Sequence, residues 1–96
     1  MSKSIQIIGQ VTGLELEYAQ VKFNHTQMQL ELKGYLVFNP MKMVDPETAW
    51  NAAMRICLSQ LLQVDEVAIQ PDWNLSRGAG IEVMIASALG LKMMWL

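Results

Sequence analysis

The stretch Ser76-Arg77-Gly78-Ala79-Gly80-Ile81-Glu82 holds the densest set of groups able to do chemistry. A hydroxyl and a guanidinium stand where the small residues Gly78, Ala79 and Gly80 open a helical pattern. The first amides of a helix have no internal acceptor, so this is a natural place for a phosphate or carboxylate. Glycines at 78 and 80 would let a sugar come close to the backbone. Glu82 is expected in the first turn of that helix, near enough to reach the rim of a cleft. The plainer alternative is an acid that complements the helix dipole.

Other candidates are weaker. Gly9 and Gly13 bracket a turn carrying Thr12, but the third glycine of a dinucleotide fingerprint is missing, so no nicotinamide site is implied. His25, the single histidine, falls in a helical pattern and reads as a surface residue. Cys57 shares a stripe with Trp50 and Met54 and reads as an inert core thiol. One cysteine and one histidine cannot build a zinc site, and no metal or cofactor is called for. Asp72, in a polar loop, is the loop carboxyl available as a partner for Glu82.

These residues need elements to hold them, and the hydrophobic periodicity supplies a βαβαβαβ rhythm. Ser4 to Ile8 reads as a strand stopped by Gly9. A helix follows from Leu16 to Lys33, with Ala19, Phe23, Thr26 and Leu30 at spacings of 4, 3 and 4 and Gly34 as its cap. Tyr35 to Phe38 reads as a strand covered on both faces, ended by Asn39-Pro40. Asp45-Pro46-Glu47-Thr48 carries the marks of a helix start, and the second helix is expected to run to Gln63 with Trp50, Met54, Cys57 and Leu61 inward. Val67 to Ile69 is a third strand and Gln70 to Arg77 a loop. Gly78 to Leu89 is a third helix capped by Gly90, and Lys92 to Leu96 is a last strand. The expected fold is one domain, residues 1–96. It is a small doubly wound, Rossmann- or flavodoxin-like α/β sheet of about four parallel strands with three helices. In such a sheet ligands sit outside the carboxyl ends of the strands, which here carry Gly9 to Gly13, Asn39 to Val44 and Gln70 to Arg77.

Composition excludes several classes. Seven basic against nine acidic residues give a net charge of -2 without a basic cluster, which argues against nucleic acid as a partner. Apolar runs are too short for a signal peptide or a membrane span, and the lone cysteine suits a reducing compartment, so a cytoplasmic protein with no membrane partner is expected. Hydrophobic residues make up 52% of the chain, eight of the 96 being methionine and three tryptophan. That is more than a small core can hide, so a homo-oligomer of at least two copies is expected, with the terminal Met93-Met94-Trp95-Leu96 strand covered by self-association.

Four blocks carry a resemblance over nearly the whole chain: Ile8-Gly9-Gln10-Val11-Thr12-Gly13-Leu14, Gly34-Tyr35-Leu36-Val37-Phe38-Asn39-Pro40, Pro71-Asp72-Trp73, and Ser76-Arg77-Gly78-Ala79 through Glu82. The sequence resembles the nucleoside 2-deoxyribosyltransferase-like superfamily, in particular a phage and bacterial branch of it. In relatives such as the 2'-deoxynucleoside 5'-phosphate N-hydrolases, the serine of a similar Ser-x-Gly-x-Gly-x-Glu segment contacts phosphate and the glutamate attacks the anomeric carbon. The resemblance assigns those roles to Ser76 and Glu82. It implies a nucleotide N-glycosidase or deoxyribosyltransferase with Glu82 as nucleophile, whose nucleoside or nucleotide ligand is expected to be held by Gly9, Thr12, Gly13, Ser76, Arg77, Gly78 and Gly80, with Asp72 nominated as proton donor because it is the loop carboxyl at hand. Two departures stand beside it. Gln10 and Val11 replace the usual middle pair of the first loop, and Cys57 stands where such enzymes usually carry an aspartate. They leave open a non-catalytic nucleotide-binding module, a sensor or sequestering protein, or a purely structural subunit.

Overall fold

The computed structural model describes residues 2–96. Four strands, β1 (Ser4–Ile8), β2 (Leu36–Phe38), β3 (Glu66–Ile69) and β4 (Lys92–Trp95), form one sheet in the order β2-β1-β3-β4. All three pairings are parallel. Ile5 lies opposite both Val37 and Glu66, while Ile69 lies between Ile8 and Trp95. The chain steps outward from β1 to β2 and then crosses back past β1 to β3. The sheet therefore changes direction at β1, the topological point where open α/β sheets leave a crevice.

Four α-helices connect the strands: α1 (Leu16–Leu32), α2 (Pro40–Met43), α3 (Trp50–Leu61) and α4 (Arg77–Ala88), with a 3-10 turn at Trp73–Leu75. Alternation along β1 divides the interior in two, since successive side chains point to opposite faces. Ile5 and Ile7 pack with Phe23 and Leu30 of α1 on one face. Ile8 packs with Leu61, Val67, Ile69, Ala79, Val83 and Ala86 on the other, under α3 and α4. The sheet is doubly wound, as its hydrophobic pattern predicts.

The expected three helices are four, because two Asx-Pro pairs exchange roles. Asn39-Pro40, read as a strand terminator, starts a one-turn helix: Pro40 occupies the first helical position and the Asn39 side chain accepts the Met41 amide at 2.9 Å. Asn39 is buried, and its Nδ2 donates to Asn24 Oδ1 and Gln27 Oε1, both at 3.0 Å, which ties α2 to α1. Asp45-Pro46, read as a helix start, closes a turn instead. Asp45 Oδ1 accepts the Glu47 amide at 2.9 Å and its carbonyl accepts the Thr48 amide at 3.0 Å. Helix α3 begins only after Ala49. β2 also differs from expectation. It is an edge strand, paired with β1 alone, with Leu36 exposed and Val37 and Phe38 half-buried, so its continuous apolar run does not mark cover on both faces.

No helix among the described residues is long and apolar enough to cross a membrane. No group of three or more His, Cys, Asp or Glu side chains among them is placed to hold a metal.

Candidate functional site

A cleft of about 410 Å³ opens beside the carboxyl end of β1, within the size range of small-molecule sites. Its walls come from four places. The loop after β1 contributes Gly9, Val11, Thr12 and Gly13, α2 and the turn after it contribute Met41, Val44 and Asp45, α3 contributes Trp50, Met54 and Cys57, and α4 contributes Ser76, Gly78 and Glu82. Most of this lining is apolar, with a few polar groups facing in.

Helix α4 is built to present its start to this space. Ser76 is the N-cap, its Oγ accepting the Ala79 amide at 3.2 Å while its carbonyl accepts the Gly80 amide at 3.0 Å. The serine hydroxyl keeps its own hydrogen to donate. Gly78 lets α4 close onto α3, since a Cβ there would stand 3.0 Å from Met54 Sδ and 3.6 Å from Trp50 Nε1. At Gly80 a Cβ would meet nothing within 4 Å, so packing does not require glycine there. Arg77 stacks its guanidinium 4.7 Å over the Trp50 ring, an exposed cation on a residue of the cleft wall.

Glu82 is the sixth residue of α4, in its second turn rather than its first. Ala79, Glu82, Val83 and Ala86 recur at helical spacing on the buried face, so the carboxyl is carried inward. Gln6 of β1, fully buried, donates its Nε2 to the Cys57 carbonyl at 3.0 Å, and the same nitrogen lies 3.5 Å from Glu82 Oε2. Burial pushes the Glu82 carboxyl up to about 7, against the pull of the Gln6 hydrogen bond. The helix start, which favours a charged acid, does not outweigh its desolvation. This carboxyl can both give and take a proton near neutral pH.

Cys57 is buried, as its stripe predicts, and it also lines the cleft. Burial, reinforced by the Glu82 charge, pushes its thiol up to about 12, so it is neutral and a poor nucleophile.

The loop glycines work in different ways. Gly13 has φ +94, a conformation that favours glycine, whereas Gly9 lacks a Cβ because Gln70 occupies the space: a Cβ there would fall 1.9 Å from Gln70 Oε1.

The structure brings Gly9, Thr12, Gly13, Ser76, Gly78 and Glu82 together around one cleft, with Arg77 and Gly80 outside its lining. Asp72 is not among them. Its Oδ2 accepts from Lys22 Nζ at 2.6 Å and its Oδ1 accepts the Gln10 amide at 3.2 Å, while the same lysine donates to the Gln10 carbonyl at 2.7 Å. Asp72 thus holds the loop after β1 rather than facing Glu82. Asp45 lines the cleft in its place, which sequence reasoning missed because Asp45-Pro46 so closely imitates a helix cap. His25 is exposed on α1.

The chain matches DUF4406, a domain of unknown function, over residues 3–95 and belongs to that family. No curated protein and no solved structure matches it.

Proposed function

Taking membership of a family whose activity is open as the premise, we propose that the cleft binds a nucleoside 5'-monophosphate and that Glu82 acts on its N-glycosidic bond. The observation that carries this reading is a buried carboxyl, poised near neutral pH, on the same wall as a helix N-terminus that faces the cleft. The phosphate is assigned to the Ser76 hydroxyl and the first amides of α4, the sugar to the space over Glu82 and the base to the apolar wall of Met41, Val44 and Trp50.

In the proposed reaction an ionised Glu82 oxygen attacks the anomeric carbon as the bond to the base nitrogen breaks, and the base leaves with the electron pair. The resulting glycosyl ester is resolved by water, giving hydrolysis, or by a second base, giving transfer. The departing base needs a proton, and Asp45 replaces Asp72 as the candidate donor because it lines the cleft while Asp72 is engaged by Lys22. The test is incubation with a panel of nucleoside 5'-monophosphates and chromatography for free base. Release that is lost in Glu82→Gln supports the reading, and the absence of release with every nucleotide removes it.

A second reading is a non-catalytic nucleotide-binding module. It is favoured by the neutral Cys57 thiol on the cleft wall, where enzymes of the superfamily the sequence resembles usually present an aspartate, and by the engagement of Asp72 outside the cleft. Calorimetry showing monophosphate binding without base release would select it.

A further inference from the structure

Helix α1 carries apolar residues on two opposite faces. Ala19, Phe23 and Leu30 point into the core. Tyr18, Val21, Met28 and Leu32 point away from it, 59%, 68%, 62% and 84% exposed, and His25 completes their spacing of 3, 4, 3 and 4. At 100° per residue the centres of the two stripes lie roughly 160° apart. The outer stripe therefore does nothing for the fold of a single chain.

We propose that a second copy of this chain docks on the outer face of α1, its own α1 against the first. The spacing is that of a helix–helix seam, in which residues three and four apart form a continuous ridge. A twofold pair is self-complementary when one patch meets itself, and this stripe has His25 at its centre with two apolar residues on either side. Charge favours a second copy over an anionic lipid surface: Glu17 and Glu31 lie beside the stripe, Lys22 is drawn to Asp72, and Lys33, next to Leu32, falls opposite Glu17 of the second copy in a twofold pair centred on His25. The four exposed apolar side chains offer on the order of 500 Å² per chain, so a pair that covers them and their polar rim completely buries about 1,000–1,200 Å² in total, the floor of specific interfaces. The β4 edge offers a smaller apolar patch, because Met93 and Met94 are half-buried and, of its apolar residues, only Trp95, which also meets Trp73 edge-on at 5.7 Å, and Leu96 are exposed there.

Sedimentation of the purified chain at micromolar concentration should give twice the 10.8 kDa chain mass. Val21→Glu with Met28→Glu should bring it to the monomer mass, with thermal unfolding showing the fold intact, whereas Met84→Glu on exposed α4 should leave the dimer unchanged. His25→Cys should form a cross-chain disulfide under mild oxidation, while the wild type, whose one cysteine is buried, should not. A monomeric wild type, a dimer that survives the double substitution, or one that yields to Met84→Glu would overturn the proposal.

Discussion

Glu82 joins two properties that normally exclude each other, burial and a charge required for chemistry. Its carboxyl, raised to about 7, is the group expected to set the pH response of the cleft. If it is the nucleophile, base release should rise with pH through an apparent pKa near 7 as the ionised form appears, and Glu82→Gln should abolish that limb with a loss of several orders of magnitude while nucleotide affinity changes little. Gln6 tunes this group, since its amide is fixed by the Cys57 carbonyl and offers the hydrogen bond that favours the charged form. Gln6→Leu should therefore move the Glu82 carbon titration, followed by NMR, to higher pH. An unchanged midpoint would mean that the 3.5 Å contact has no electrostatic weight. Cys57 should react with thiol reagents far more slowly than a free thiol, because it is both buried and neutral.

At the scale of elements, the loop after β1 is held by the Lys22–Asp72 pair, which grips both the amide and the carbonyl of Gln10. Both ends of the pair are partly exposed, so its contribution to global stability is small, but its effect on the loop is direct. Asp72→Asn should speed hydrogen exchange at residues 10–13 and weaken monophosphate binding several-fold, whereas Asp45→Asn should lower base release with little change in loop exchange. The reverse pattern would restore Asp72 as the acid. Much of this architecture is legible in the sequence. The inward stripe of α1, the β1 run ended by Gly9 and the parallel crossovers follow from periodicity and the turn glycines. The Ser-x-Gly-x-Gly-x-Glu segment likewise marks the α4 wall. What escapes is set by tertiary contact. Asn39-Pro40 and Asp45-Pro46 offer equally good helix starts, and the choice between them is made by Asn39 bonding to Asn24 and Gln27 on α1, partners fifteen and twelve positions away in sequence. The cleft wall formed by α2 and the turn after it, with Asp45, depends on that choice and so is equally hidden. The inward turn of Glu82 is legible in its spacing from Ala79, Val83 and Ala86, which places all four on one helical face.

For the whole molecule, buried Glu82 and surface Asp65 should bend stability with pH in opposite directions. Asp65 accepts hydrogen bonds from the Ser4 amide at 2.9 Å and the Ser4 hydroxyl at 3.1 Å, which hold its carboxyl below its usual value. A carboxyl lowered by folding stabilises above its unfolded pKa, and that gain is lost as pH falls through the folded one. Glu82 has the opposite sign. Its unfolded value of 4.5 lies below its folded value of about 7, so between these the native state binds more protons, and stability falls as pH rises through this window. The full span corresponds to about 3 kcal/mol of destabilisation above neutrality, at roughly 1.4 kcal/mol per unit. Glu82→Gln removes that ionisation while keeping the volume. Its unfolding free energy in urea should exceed the wild type's at pH 8 by about 1–3 kcal/mol, with the difference shrinking toward pH 5. Such a gain, together with lost base release, is what a group kept for chemistry at the expense of stability should show. A variant no more stable than the wild type at pH 8 would mean that the carboxylate is solvated through the open cleft, and that the proton on Glu82 has no part in setting the pH dependence.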